Sequence, residues 1–322
     1  MKALILAGGL GTRLRPLTYG MPKPLVPLLG KPLVNHIIDP LPSEVDTVIL
    51  AVSYMKDALE EHFRTHDVGR KVILVNEEQP LGTGGAVKNV SRYLDGPFIA
   101  FNGDVVCSID LNDMLRFHRS HGGIGTMALW QVDDPSAFGV VARDQRGRIT
   151  EFQEKPGPGE ALSNSINAGV YIFEKEILDH IPNGVVSIER EVFPKVLGHG
   201  LFGYEFQGHW VDGGTRESLL KAQRILLDLG GGKVSPDLIR EDDAAVLGSN
   251  MIQRAHLRGG RIGPHVYMED DVLVSRGAEV SESMVMHGAL IEEGAKVHGS
   301  IVGPGYVVEK GRQVRDEILA RQ

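Results

Sequence analysis

The most constraining feature is a ladder of aliphatic residues near the C-terminus. Ile262, Met268, Val274, Val280, Val285, Ile291, Val297, Val302 and Val308 follow one another at steps of 6, 6, 6, 5, 6, 6, 5 and 6 residues. No helical period sustains sixes. Gly277, Gly288, Gly294, Gly305 and Gly311 each stand three residues after a ladder residue. One inward aliphatic per six residues, with a turn glycine in phase, describes a parallel β-helix in which each short strand stacks on the coil below. An ordinary β-meander would not keep the glycines in register.

The N-terminal part is patterned differently. Short apolar runs at Lys2–Ala7, Thr47–Val52, Val72–Val75 and Pro97–Phe101 end at glycines or polar turns and read as buried strands. Helical patterns stand between them, at Leu33–Ile38, Met55–Phe63 and Thr83–Val90, and another follows at Leu111–His118. Strands alternating with helices predict an α/β sheet with mostly parallel strands. Four strand candidates in a row then follow, Gly125–Gln131, Gly139–Ala142, Arg148–Phe152 and Ala168–Phe173, which predict antiparallel additions. Ser187 and Thr215 are expected to cap helices over 187–196 and to about Asp228. The expected architecture is therefore a Rossmann-like α/β domain with a mixed, mostly parallel sheet over residues 1–228. A glycine-rich linker follows at 229–243, then a left-handed parallel β-helix of hexapeptide repeats at 244–311. A tail at 312–322 is expected as a short terminal helix.

Charge narrows the function. The chain carries 42 acidic against 34 basic residues, net −8, which argues against a general nucleic-acid binder. One cysteine, Cys107, excludes an internal disulfide and any cysteine-cluster metal site. No apolar run approaches the about 20 residues that span a bilayer. A cytoplasmic protein with no membrane partner is expected. The first 38 residues hold no Asp or Glu, yet carry Lys2, Arg13, Arg15, Lys23 and Lys31. A cationic, glycine-rich segment in an acidic chain points to a small polyanionic ligand.

That segment, Gly8–Pro27, reads GGLGTRLRPLTYGMPKPLVP. Glycines after a buried strand, here Gly8, Gly9 and Gly11 with Thr12 beside them, let backbone N–H groups approach a phosphate. Neither common phosphate loop is present: Leu14 breaks the dinucleotide pattern, and the Walker A sequence is absent. Lys23 is stiffened between Pro22 and Pro24. Asp104, just past a strand end, and Asp212, in a Trp- and Gly-flanked turn, are carboxylates of the kind that hold Mg²⁺ together with phosphate oxygens.

GGLGTRLRPLT followed by PKPLVP resembles the signature of the sugar-1-phosphate nucleotidylyltransferases, or NDP-sugar pyrophosphorylases. Further matches follow in family order: LGTGGA at 81–86, NGD at 102–104, FG at 138–139, EKP at 154–156, NAGVY at 167–171 and W-x-D-x-G at 210–214. The stretch SIEREVFP at 187–194 is most like the GDP-mannose pyrophosphorylase branch. WVDGG, NGDV and GTGGAVKN differ from the WMDIG, NSDV and GTAGPL expected in that branch, which leaves base and sugar open.

The resemblance implies transfer of a nucleotidyl group from a nucleoside triphosphate to a sugar 1-phosphate, with release of pyrophosphate and with Mg²⁺ as cofactor. The attacking phosphate is already ionised at neutral pH, so no general base is needed. By resemblance Arg13 holds the departing phosphates, Lys23 neutralises charge at the attacked phosphate, and Asp104 and Asp212 hold the metal. Lys155 binds the sugar phosphate, while Gly139, Glu154, Asn167 and Val170 face the sugar. Gly8, Gly82 and Thr83 face the base. Glu77 and Glu78 precede that loop, and a carboxylate accepts both adjacent donors of guanine, which favours GTP. The implied product is GDP-mannose. Alternatives are UTP or dTTP with glucose 1-phosphate, a non-catalytic nucleotide-sugar-binding homologue, and acyl transfer by the β-helix. For the last, His256, His265, His287 and His298 are expected to be surface residues without partners. A homo-oligomer assembled through the β-helix is also expected.

Overall fold

The computed structural model describes residues 1–321. The chain forms two compact units. One comprises Met1–Leu10 and Val34–Trp210, and the other comprises Gly11–Leu33 and the chain from Val211 onward.

The first unit is built on a nine-stranded sheet. Its strands are β1 (Lys2–Leu6), β2 (Thr47–Val52), β3 (Lys71–Asn76), β4 (Phe98–Asn102), β5 (Gly125–Gln131), β6 (Gly139–Arg143), β7 (Ile149–Glu154), β8 (Ser165–Phe173) and β9 (Leu201–Glu205). The order along the sheet is β7-β6-β8-β4-β1-β2-β3, with β5 added on β8 and β9 on β5. β1 is central and runs parallel to both β2 and β4, and β2 is parallel to β3. All six residues of β2 are buried, which explains why TVILAV shows no alternation: both faces are covered. β8 lies antiparallel to β4, β5 and β6. The expected change from parallel to antiparallel pairing thus occurs at β8. Helix α1 (Lys56–Thr65), helix α2 (Gly82–Asn89) and helix α3 (Leu111–His121) belong to this unit. Asp110 caps α3 by accepting from the amides of Asn112 and Asp113. The core gathers Leu4, Ile49, Phe98, Tyr171, Phe173 and Phe193, all essentially without solvent access.

The second unit is dominated by parallel strands stacked in three sheets of six, five and five strands, which is a parallel β-helix. Register between coils is regular: Ile252, Met268, Val285, Val302 and Leu319 stack in one sheet. Every residue of the predicted ladder, Ile262 to Val308, is fully buried in the core of this unit. Steps of six, six and five place successive aliphatics on three sheets and return to the first. The five in-phase glycines all have φ between 61° and 71°, a left-handed conformation that a side chain would strain.

Two expectations about its ends change. Strands Lys233–Val234 and Ile239–Glu241 lie within the stretch expected as a linker and form the first coil. The tail is not helical: Gln313–Arg315 and Ile318–Leu319 are strands, with Val314 and Leu319 continuing the ladder. A helix of so few residues is marginal by itself, whereas the preceding coil offers ready backbone partners. Gln322 lies outside the described residues. His287 is exposed as expected, but two of the four histidines differ from expectation. His265 Nε2 lies 2.8 Å from Asp228 and His256 Nε2 lies 3.0 Å from Glu241, and both rings are mostly buried. Among the described residues no helix is long and apolar enough to cross a membrane.

Ile291 sits at the centre of the ladder. Replacing it with Ala should cost about 2–5 kcal/mol through lost burial and a cavity that the coils above and below cannot close. Denaturant unfolding of the full chain measures this, and a loss below about 1 kcal/mol would contradict the stacked core.

Candidate functional site

In the second unit the cationic loop is tightly folded. Gly11 has φ 61° and starts a tight turn at Thr12–Leu14, with Leu14 buried beneath it. Thr18 Oγ1 donates to the Gly11 carbonyl at 2.8 Å. A Cβ on Gly11 would lie 3.0 Å from Thr18 Cγ2 and 3.2 Å from Lys23 Cβ, so Gly11 lets the loop close on Lys23. Lys23 opens a second tight turn, Lys23–Leu25, held by its flanking prolines. Arg15 instead stacks over the Tyr19 ring at 4.9 Å.

Asp212 ends the strand Trp210–Asp212 and accepts from the Gly214 amide through Oδ1 at 2.9 Å. A Cβ on Gly214 would collide with the Arg13 guanidinium and lie 2.8 Å from Asp212 Oδ1. One glycine thus leaves room for a predicted phosphate-binding cation and a predicted metal ligand side by side. Thr215 then caps helix α4 (Arg216–Leu226) through a reciprocal bond with Ser218, which fixes the turn that presents Asp212.

In the first unit the candidate residues lie at the carboxyl ends of strands, where open α/β sheets bind ligands. Gly8 follows β1, and Ser53 Oγ donates to its carbonyl. A Cβ on Gly8 would meet Glu77 Oε1 at 3.2 Å, while nothing lies within 4 Å of one on Gly9. Glu77 is only 5% exposed, and its Oε2 accepts from the Leu81 amide at 3.2 Å. Burial pushes its carboxyl above the usual range, against the opposing hydrogen bond.

Asp104 follows β4. Gly103 donates to the Leu6 carbonyl at 3.0 Å, and a Cβ there would lie 2.6 Å from that oxygen, so only glycine lets the turn sit on β1. Asn102, two residues before Asp104, has a buried Oδ1 without a partner. Among the described residues no group of three or more His, Cys, Asp or Glu side chains is placed to hold a metal. Asp104 and Asn102 offer a carboxylate and a buried amide oxygen at this turn. That fits a hard divalent cation that takes most of its ligands from phosphate and water.

The remaining motifs converge on β6, β7 and β8. Gly139 is directly opposite Glu154 in the β6–β7 pair, and a Cβ on it would lie 2.9 Å from Glu154 Oε2. Lys155 has φ 51°, a strained value for a side-chain-bearing residue, and its amide donates to the Phe138 carbonyl at 3.0 Å. The β5–β8 register shifts between Asn167 and Tyr171, where Gly169 has φ 73° and a Cβ would lie 2.7 Å from Asn102 Nδ2. This bulge makes NAGVY conformationally specific. It turns Asn167 inward, where Oδ1 accepts from the Gly169 amide and Nδ2 donates to Tyr171 Oη at 2.8 Å. Trp210 braces the bulge, donating from Nε1 to the Ala168 carbonyl at 2.9 Å.

Asn167 is thus occupied within the protein, and two further sequence-selected residues are as well. The Val170 side chain is wholly buried. The Thr83 hydroxyl donates to Glu189 and accepts from the Ile188 amide. Sequence reasoning passed over Glu189, Asn102 and Tyr171, although each lies within a quoted motif: they stand beside better-known positions and carry no charge pattern of their own.

The nucleotidyl transferase family model matches residues 2–228. The chain belongs to this family. It is 43% identical over 235 residues to mannose-1-phosphate guanyltransferase beta-B of Xenopus laevis, covering 70% of this chain and 65% of that protein. The chain therefore spans just under two thirds of that relative's length. It is 36% identical over 297 residues to mannose-1-phosphate guanylyltransferase of Mycobacterium tuberculosis, covering 89% of this chain and 79% of that one. Among solved structures it is similar to HddC from Yersinia pseudotuberculosis complexed with GMP-PN. There the TM-score is 0.57 and the identity 32%, over 69% of this chain and 97% of that chain.

Glu77 supplies a pH prediction for this nucleotidyl transferase. Its carboxyl holds a proton more tightly folded than unfolded, so it contributes stability at low pH that is lost as pH rises through the raised folded value. Glu77→Gln should remove that slope. As pH rises above the ordinary carboxyl range, the variant should gain stability relative to wild type in paired denaturation curves. A pH-independent difference would refute the assignment.

Proposed function

We propose that the protein transfers a guanylyl group from GTP to mannose 1-phosphate, giving GDP-mannose and pyrophosphate, with residues 1–228 as the catalytic domain. The observation that carries this reading is the convergence of the Arg13 guanidinium and the Asp212 carboxylate on Gly214. It occurs in a chain whose relatives include mannose-1-phosphate guanylyltransferases from animals and bacteria.

The roles follow from charge and position. Arg13 binds the departing phosphates through its planar donors, and Lys23, held by prolines, places a point charge at the attacked phosphate. Backbone amides at Gly8, Gly9, Gly11 and Thr12 approach the triphosphate, because no side chain at the glycines keeps it away. Mg²⁺, with Asp104 and Asp212 as its protein ligands, would neutralise charge on the phosphate oxygens. Lys155 receives the sugar phosphate, and Glu154 accepts sugar hydroxyls. Beside Gly8, the buried Glu77 is a base-reading carboxylate, and the GMP-PN complex of HddC supports a guanine nucleotide. Gly82 brings the backbone near that base. Asn167 acts by shaping the bulge, and Gly139 by leaving room for Glu154. The parallel β-helix supplies an assembly surface for a homo-oligomer.

A panel of triphosphates and sugar 1-phosphates, read by pyrophosphate release, tests the substrate pair. GTP with mannose 1-phosphate should give the highest kcat/KM, and a higher value for UTP or dTTP with glucose 1-phosphate would replace this reading. Asp104→Ala and Asp212→Ala should each lower kcat by about 100-fold or more with the circular dichroism spectrum unchanged. Near wild-type rates in both variants would defeat the metal assignment.

A further inference from the structure

Several glycines of this chain are required by the fold. At Gly82 and Gly103 a Cβ would meet a backbone carbonyl, which cannot step aside. Gly214 is of another kind. It is buried, and the three atoms nearest to a Cβ on it all belong to charged side chains: Arg13 Nη2, Asp212 Oδ1 at 2.8 Å and Arg13 Cζ at 3.0 Å. Its φ lies outside the left-handed region, so alanine can adopt the same backbone. A side chain at this position would displace Arg13 and Asp212 rather than the chain path.

The turn around Gly214 is fixed from both sides. Its amide donates to Asp212 Oδ1 at 2.9 Å. The next residue, Thr215, caps α4: its Oγ1 accepts from the Ser218 amide at 3.1 Å, and Ser218 Oγ accepts from the Thr215 amide at 3.0 Å. A methyl group on Gly214 could not be relieved by moving the turn without breaking this cap. Asp212 is tied by the amide hydrogen bond, whereas Arg13 is exposed on its loop. Arg13 is therefore the group that yields. The guanidinium occupies the space that the missing side chain leaves, and the glycine sets how close this planar cation stands to the carboxylate.

We propose that Gly214 is a positioning residue: its bare Cα fixes the spacing between Arg13 and Asp212, so that both can hold one metal–polyphosphate ligand, the phosphates by the guanidinium and the divalent ion by the carboxylate. This rests on the reading of Arg13 as the group that binds the departing phosphates and of Asp212 as a metal ligand. Phosphate oxygens that bind a divalent ion lie beside it, so the cation and the carboxylate serve the same ligand only as neighbours. A misplacement of about 1 Å in such a pair costs about 100-fold in rate.

Gly214→Ala in the full-length protein tests this, with inorganic pyrophosphate as the probe because it carries neither base nor sugar. The variant should unfold at or above the wild-type denaturant midpoint. Failure to fold would assign the glycine to the turn and overturn the proposal. The Kd for pyrophosphate with Mg²⁺, measured by titration calorimetry, should rise about tenfold, the loss expected for a charged hydrogen bond. Arg13→Ala should give a similar rise, and adding Gly214→Ala to it should change the Kd by less than about twofold. Effects that multiply would show that Gly214 does not act through Arg13, which defeats the proposal. In turnover, kcat should fall about 100-fold with the sugar-phosphate KM unchanged, and a loss confined to that KM would also defeat it. In the ligand-free protein the Arg13 Nε–Hε resonance, assigned with Arg13→Lys, should move in Gly214→Ala, and an unmoved resonance would refute the placement. If wild type binds no pyrophosphate, the phosphate-binding reading of Arg13 fails, while the resonance still decides whether Gly214 places that side chain.

Discussion

Close backbone approach at the first turn of α2 sets much of the first unit. The strap at 184–188 crosses this turn so tightly that a Cβ on Gly82 would lie 2.5 Å from the Val186 carbonyl, and one on Gly84 2.9 Å from the Val186 side chain. LGTGGA therefore serves packing as much as ligand access. Glycines that weaken an isolated helix are retained because carbonyls, rather than side chains, occupy the space beside them. Once the strap is seated, Thr83 is committed to Glu189 and Glu77 is committed to the Leu81 amide. The first turn of α2 is thereby held in one arrangement by the protein itself.

The same economy governs charge. Three carboxyl or phenol groups near the sugar strands, Glu154, Glu189 and Tyr171, are held together by hydroxyls, amides and burial, with few cations among them. Burial keeps the Tyr171 phenol neutral, so the negative charge there belongs to the two carboxyls. Arg13, Lys23 and Asp212 in the second unit form the opposite kind of environment, cationic and glycine-lined. A nucleotidyl transfer between two phosphate-bearing substrates depends on positioning and charge neutralisation.

Much of this was legible in the residues, and the exceptions have physical causes. Every rung of the period-six ladder from Ile262 to Val308 is buried in the β-helix core, because one aliphatic per strand has no other place to go, while Val266, Val272, Ala278, Ala289 and Ala295 fill it between the rungs. It did not reach the terminal coils. At Val234 the first strand is exposed, and at Val314 and Leu319 the ladder continues past the point where a tail was expected. Turn chemistry marked Ser187 and Thr215 as caps, and both side chains accept the expected amides. Side-chain direction was less legible. Asn167 was expected to face the sugar from the NAGVY resemblance, whereas a bulge at Gly169 aims both its polar atoms at the protein. Glu189 was hidden for the converse reason: its partners lie 106 residues away in Thr83 and two residues away in Ser187, and no local pattern reports the long contact.

One constellation tests how far geometry alone should be trusted. His118 has Nδ1 2.9 Å from Thr126 Oγ1 and Nε2 3.2 Å from Glu174 Oε1, the hydroxyl–imidazole–carboxylate order of a nucleophilic triad. Thr126, however, is fully buried inside β5, and His118 is 3% exposed. Burial pushes the imidazole below its usual range, against the opposing pull of Glu174. A neutral ring there satisfies a buried hydroxyl and a carboxylate at once, pinning α3 to the sheet. No electrophile reaches that oxygen without unfolding the strand, so the arrangement is a structural tie. Chemistry in this protein is left to charged groups at strand ends and turns, where a substrate can arrive.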